Sequence, residues 1–321
     1  MLIIADSMRS RRDFQKLVAS GLSVLAARQF AWAAPVDTVR GVRLGITTAS
    51  LNPLPAQAGR TPLDVLIEQC LELRLHTVEL AGGFFGPAVL GTVGGQTPKQ
   101  MSADYQRTRE AQRAWRLSPS SMVEVRRVRD RFRNAGVDIF SVSNTFADDV
   151  TDAEMDAMFR QMRQLGVTIF QTNQTRVSMG PRLVPFADKY GIYPSFHTHA
   201  ESEDPNEIAS VESLAKLLAL SPKFKVCLDI GHFTAGNNDA VTYLREHHQD
   251  ITHIHVKDRK KNKGPNVEWG TGDTPIRECL TLIRDENYGI PCIIEREFKG
   301  PGTPVEETRE DLAFMKRILA A

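Results

Sequence analysis

Cysteine is scarce and unpatterned: the chain has four, Cys70, Cys227, Cys279 and Cys292, and no Cys-x-x-Cys pair. That excludes a dense disulfide framework. Cys227 and Cys292 fall inside apolar strand-like runs and read as buried free thiols. An excess of either charge is also missing. Lys and Arg total 40 against 39 Asp and Glu, which removes the electrostatic footprint of a nucleic-acid binder. No internal repeat and no coiled-coil heptad is present. The first strand-like run, Leu44-Gly45-Ile46-Thr47, opens no glycine-rich phosphate loop, which argues against a doubly wound nucleotide-binding sheet. Histidine is also sparse, but unlike cysteine it is clustered.

The first 33 residues are set aside from the fold. Ser10-Arg11-Arg12-Asp13-Phe14 precedes a moderately apolar stretch, Leu17 to Ala27, and then Ala31-Trp32-Ala33 before Ala34-Pro35. A charged start, a short apolar middle and small residues at the cut describe an export signal, with residues 34–321 as the mature chain. The apolar part is well under the roughly 20 residues that span a bilayer, so no stable membrane insertion is expected. The paired arginines resemble the twin-arginine signal that exports folded proteins. The expected location is therefore outside the cytoplasm, in the periplasm, with a cytoplasmic protein as the alternative. That alternative goes with reading the segment as an ordinary amphipathic helix.

After the signal, strand-like and helix-like segments alternate. Strands are expected at Arg43–Thr48, Thr77–Leu80, Val137–Val142, Val167–Thr172, Ile192–Thr198, Lys225–Asp229, Ile251–Val256 and Cys292–Glu295. Helical patterns between them include Pro62–Leu73, Met122–Asn134, Ala153–Leu165, Ile208–Leu220, Ala240–His247, Pro275–Asp285 and Val305–Leu319. Gly136, Gly166 and Gly191 each close a helix and launch a strand, the place where a left-handed cap is needed. Eight strands, each followed by a helix, predict a single α/β domain, a (β/α)8 TIM barrel. One segment breaks the rhythm: Gly86 to Leu117, rich in Gly, Gln and Arg (Gly91, Gly94, Gly95, Arg107, Arg109, Arg113), follows strand two. Such a loop is expected either as a lid over the barrel mouth or as a surface excursion.

Five of the eight histidines lie in four apolar runs that carry metal-capable side chains at or near their ends. The runs are Phe196-His197-Thr198-His199, Leu228-Asp229-Ile230-Gly231-His232, His253-Ile254-His255-Val256-Lys257-Asp258 and Ile293-Ile294-Glu295-Arg296-Glu297. Residues two apart on a strand share a face, so His197, Asp229, His255 and Glu295 can converge at one mouth. Two imidazoles and two carboxylates suit one divalent cation such as manganese, zinc, iron or cobalt. His253 lies deeper and is expected as a hydrogen-bonded core histidine, and His76 as structural. His247 and His248 close a helix and need no ligand.

At these segments the chain resembles the xylose isomerase-like barrel family of sugar isomerases and epimerases. The matching pieces are Val78-Glu79-Leu80, Asp229-x-Gly-His232, His255-Val-Lys-Asp258, Gly270-x-Gly-Asp273 and Ile293-Ile-Glu295, in order across residues 40–321. The resemblance implies that Asp229, His255 and Glu295 bind a catalytic metal and that His232 contacts substrate oxygens. It places Lys257 and Arg259 near the substrate's far end, and Glu79 in a substrate-binding or ligand-supporting position. The chain departs at His197, where many epimerases of the family carry a second glutamate. Phe196-His197-Thr198-His199 is instead similar to a Tyr-His-Asn-His run found in some members.

The chemistry expected of such a site is abstraction of a proton alpha to a carbonyl, with the enediolate stabilised by the metal as a Lewis acid. Glu295 is the expected base, and His197, His199 or Lys257 returns the proton. His199, His232, Arg259 and Glu297 are expected to touch substrate. The implied partner is a small sugar or glycoside; a homodimer is left open. An alternative is an exported lyase or hydrolase that eliminates a β-substituent from 3-keto-glycosides. An endonuclease IV-like phosphodiesterase and a non-catalytic sugar-binding barrel are further alternatives.

Overall fold

The helices and strands begin where the local chemistry says they should. In a computed structural model that describes residues 37–81, 84–87 and 103–321, helix α1 (Pro62–Glu72) opens on a reciprocal Thr61–Asp64 capping box. Helix α4 (Asp152–Leu165) opens the same way on Thr151 and Glu154 and stops at Gly166, whose φ of 87° only glycine adopts without strain. Helix α5 (Gly180–Tyr190) likewise stops at left-handed Gly191. The expected export signal, residues 1–33, lies outside the described residues. Among the described residues no helix is long and apolar enough to cross a membrane.

Eight strands form the barrel: β1 (Val42–Thr47), β2 (Thr77–Ala81), β3 (Asp138–Asn144), β4 (Ile169–Thr172), β5 (Tyr193–His197), β6 (Lys225–Asp229), β7 (Ile251–Val256) and β8 (Cys292–Ile294). Each pairs in parallel with the next, and β8 pairs with β1 through Leu44↔Cys292, Gly45↔Ile293 and Ile46↔Ile294, closing the sheet. The expected (β/α)8 barrel is the observed fold, with strand ends moved by at most two residues. A two-residue strand, Thr38–Val39, pairs antiparallel with β1 as an addition outside the barrel.

The connections carry α2 (Ala103–Leu117) and α3 (Pro119–Asn134) after β2, α6 (Val211–Leu218) after β5, and α7 (Ile230–Ala235) with α8 (Ala240–His247) after β6. Helices α9 (Ile276–Asp285) and α10 (Pro304–Ala320) follow β7 and β8. The apolar core lies between strands and helices, as where Phe170 of β4 packs against Phe146 and Phe159 with ring centroids 4.8 and 5.7 Å apart.

The long segment after β2 differs from the expectation of an irregular excursion. Residues 88–102, which include Gly91, Gly94 and Gly95, lie outside the described residues, but Ala103–Leu117 is a helix. Its buried face carries Tyr105, Arg109 and Arg116, the two arginines about 4% exposed, so a single aromatic gives no apolar period in the sequence. It packs on α4 through ion pairs instead.

Candidate metal centre

Strand alternation delivers the donors to one mouth. On β5 Phe196 packs outward on Phe224, ring centroids 5.0 Å apart, which turns His197 inward. Asp229 ends β6 and also caps α7: its Oδ1 accepts the His232 backbone N–H at 2.7 Å. That leaves Oδ2 to face the interior, 3.3 Å from His197 Nε2. On β7 His255 presents Nδ1 to His197 Nε2 at 3.1 Å and to Glu295 Oε2 at 3.1 Å. Glu295 follows β8 directly, its amide donating to the Val256 carbonyl at 3.0 Å.

His197, Asp229, His255 and Glu295 thus form the expected group, with one ligand-capable atom from each within 4.8 Å of the others. The donor set fits a divalent ion. Asp229 Oδ2 is buried with no neutral hydrogen-bond partner; its contacts are to the His197 imidazole and the Lys257 ammonium. The two imidazoles and two carboxylates are the mixed N/O donors that manganese, zinc, iron or cobalt accept.

Beneath this group lies a fully buried supporting layer. His255 Nε2 stands 2.9 Å from Glu79 Oε1, while Glu79 Oε2 contacts His253 Nε2 at 3.0 Å and accepts from Ser141 Oγ at 2.8 Å. A carboxylate on the far nitrogen orients a ligand imidazole and leaves the near nitrogen as its donor. Glu79, expected in a substrate-binding or ligand-supporting position, is 1% exposed and lies behind His255. His253, further held by Thr252 Oγ1 at 2.8 Å, is the satisfied core histidine expected. His76 pairs with Asp37 at 3.0 Å, and His247 and His248 stack on Tyr243 and Tyr288.

The rim holds the remaining expected residues. Lys257 is 1% exposed, with Nζ 3.0 Å from Asp229 Oδ2, 2.7 Å from Glu295 Oε2 and 2.8 Å from Glu297 Oε2. Arg259 donates through one guanidinium nitrogen to His232 Nδ1 at 2.5 Å and through another to the Gly264 carbonyl at 2.8 Å. That bond leaves the His232 proton on Nε2, 3.9 Å from Glu297 Oε2. His199 lies with its ring 5.0 Å from His197 and 5.5 Å from His232, and Nδ1 3.7 Å from Glu207. The Gly270-x-Gly-Asp273 run proves to be a loop anchor: the Gly270 and Gly272 amides donate to Asp258 Oδ2 at 2.8 and 2.9 Å.

Charge in the cluster is set by burial working against near contacts. Burial alone would raise the carboxyls of Asp229 and Glu295, but the Lys257 ammonium and the neighbouring histidines hold both below the usual range. Burial would likewise suppress charge on His197, yet its contacts to Asp229 and Glu295 raise it. His232 is pushed well below its ordinary value by burial and then by Lys257, so it stays neutral. Burial opposes charge on Lys257 as well, and Asp229, Glu295 and Glu297 overcome it and keep the ammonium.

Two interior groups escaped the sequence reading. Gln171 of β4 is 1% exposed, and with Phe170 turned outward it faces the lumen, its Oε1 without a partner. Its signal was a lone amide in the apolar run Ile169-Phe170-Gln171-Thr172. Ser141 was equally visible as a polar residue in a strand, but only the barrel's closure shows that it meets Glu79.

The family described as the xylose isomerase-like TIM barrel matches residues 171–318, a stretch that contains all four donors. L-ribulose-5-phosphate 3-epimerase from Salmonella paratyphi A is similar over 100 residues at 28% identity, covering 31% of this chain and 35% of that protein. The match thus spans about a third of that curated relative's length. Among solved structures, D-psicose 3-epimerase from Clostridium cellulolyticum H10 with D-tagatose aligns at a TM-score of 0.59 and 14% identity, over 87% of this chain and 99% of that one. The apo form of 3-keto-D-glucoside 4-epimerase from E. coli aligns at 0.56 and 10%, over 86% and 99%. At such identities these two structures speak for the barrel alone.

Proposed function

We propose that the chain is a divalent-metal-dependent keto-sugar isomerase or epimerase that removes a proton alpha to a carbonyl. The observation that carries this reading is the convergence of His197, Asp229, His255 and Glu295 within 4.8 Å at the mouth of the barrel. The matched family and the sugar epimerase among its relatives support it. His197, Asp229, His255 and Glu295 would hold the divalent ion, which would supply Lewis-acid stabilisation of developing negative charge worth several kcal/mol.

The chain's own groups do the rest. Glu295, kept ionised by Lys257 and His255, is the base. His232 is neutral and offers an Nε2 proton to a substrate oxygen. His197, 3.6 Å from Glu295, and His199 beside it are the candidate proton donors. Lys257, held charged by three carboxylates, serves better as a fixed positive charge beside the enediolate than as a proton shuttle. Arg259 is engaged by His232 and a carbonyl, and Lys263 by Glu203.

Metal analysis of purified protein, with deuterium wash-in followed by NMR on free ketoses and 3-keto-glycosides, tests this. Exchange without bond cleavage is expected. Full activity in Glu295→Gln would remove the proposed base.

A second reading is a lyase that expels a β-substituent from a 3-keto-glycoside. His197 in place of a second glutamate favours it, since a paired-carboxylate epimerase mechanism then lacks one acid. Release of an aglycone in the same experiment would select it. Export of the folded chain accompanies either reading, and is checked by a periplasmic fraction holding a mature form that starts at Ala34.

A further inference from the structure

Among the described residues, Lys257 is the lysine inside the donor cluster. Two of its three partners, Asp229 and Glu295, are the carboxylates of the four-residue group. The third, Glu297, lies outside that group with its side chain 43% exposed. A single ammonium therefore spans the ligand set and its rim. Its path is built into the neighbouring element. A Cβ on Gly231, in the first turn of α7, would collide with Lys257 Cγ and stand 3.0 Å from the Lys257 carbonyl oxygen and 3.2 Å from Cδ. Gly231 is not left-handed, so glycine there is explained by room for the lysine stem and not by backbone conformation.

We propose that Lys257 is the standing counter-cation of Asp229 and Glu295, and that a divalent ion binds by exchange, with the ammonium withdrawing onto Glu297. The proposal rests on the metal reading above. Two carboxylates buried against each other need a positive partner to remain folded. A metal supplies one, and an ammonium a few ångströms from that metal is repelled by it. Lysine suits the exchange because its four-carbon stem swings the head without moving the backbone. Glu297, already in contact and half in solvent, receives it.

The test is calorimetric titration of MnCl2 into chelator-stripped full-length protein at one fixed pH, with melting temperature measured alongside. Lys257→Met is expected to bind Mn2+ about tenfold tighter or more, because the competing cation is gone. Its metal-free form is expected to melt below wild type and to recover with Mn2+. Lys257→Gln keeps a polar tip and carries the same expectation if the methionine variant does not fold. Equal or weaker Mn2+ binding by the folded variant overturns the exchange.

Glu297→Gln is expected to weaken Mn2+ binding severalfold in the wild-type background and to lose that effect once Lys257 is removed. The same loss in both backgrounds would show a plain through-space charge effect and overturn the withdrawal onto Glu297. Wild-type protein that binds neither Mn2+, Co2+ nor Zn2+ removes the metal reading and the exchange together. Metal binding that ignores Lys257 removes the exchange alone.

Discussion

Two buried ionic clusters sit on this barrel, and they are built in opposite ways. In the first, Glu154 of α4 is wholly buried and takes Arg109 in a bidentate fork at 2.6 and 2.9 Å, with Arg113 and Arg116 at 3.0 and 3.2 Å. Asp149 and Asn144 take the remaining guanidinium protons. None of these side chains has a buried polar atom without a partner. In the second, at the mouth, His197 Nδ1 has no hydrogen-bond partner, Asp229 Oδ2 meets the Lys257 ammonium and His197 at 3.0 and 3.3 Å, and His255 Nε2 and Glu79 Oε1 face each other at 2.9 Å. The first network ties two helices together through arginines; the second gathers imidazoles and carboxylates around a single lysine.

Removing charge should therefore separate the two. The largest expected effect is on rate: Glu295→Gln lowers deuterium wash-in by about 10²- to 10⁴-fold, with a urea midpoint equal to or above wild type. A midpoint falling as far as that of a Glu154 variant would make the mouth a structural cluster and break the comparison.

Next comes stability. Glu154→Gln strands three arginines and is expected to cost about 3–5 kcal/mol in urea unfolding. Burial alone would raise the Glu154 carboxyl, but the hydrogen bond and charge of Arg109, with Arg113 and Arg116, hold it at about 2 against an ordinary 4.5. A depressed folded pKa means its contribution, on the order of 3 kcal/mol, is complete above pH 4.5 and disappears as pH falls through about 2. Unfolding midpoints measured across that window should fall in wild type and change less in Glu154→Gln.

A smaller effect probes the seam between support and chemistry. Glu79→Gln, which weakens the carboxylate behind His255, is expected to lower Mn2+ affinity by about tenfold to a hundredfold by calorimetry. Smallest is Ser141→Ala. It removes one hydrogen bond to Glu79, with an expected loss of about 1 kcal/mol in urea unfolding and under threefold in Mn2+ affinity. A larger metal effect from Ser141 than from Glu79 would move the seam below the histidine layer.

Much of this was legible in the chain. Eight strands, the glycines that end helices before them, and the four donors are all local signals. The donors stand out because an imidazole or carboxylate at the end of an apolar strand has few structural reasons to be there. Helix α2 was not legible, because its buried face is mostly arginine and an apolar period is the signal sequence reading uses. Glu79 could not be placed from its strand alone. Alternation says that it faces inward, but its depth relative to His255 depends on the register around the closed sheet, which shifts between Val78 and Glu79 and between Val226 and Cys227.

The sequence by itself determined the order of elements and the identity of the donors, since periodicity and residue chemistry are written a few residues at a time. Tertiary structure alone decided which atoms face one another. Asp229 spends Oδ1 on a helix cap and offers Oδ2; Lys257 runs along Gly231 to reach both ligand carboxylates; Glu154 collects arginines from a helix more than 35 residues upstream. These are contacts between residues far apart in the chain, and only closure of the barrel and docking of its helices bring them within a few ångströms.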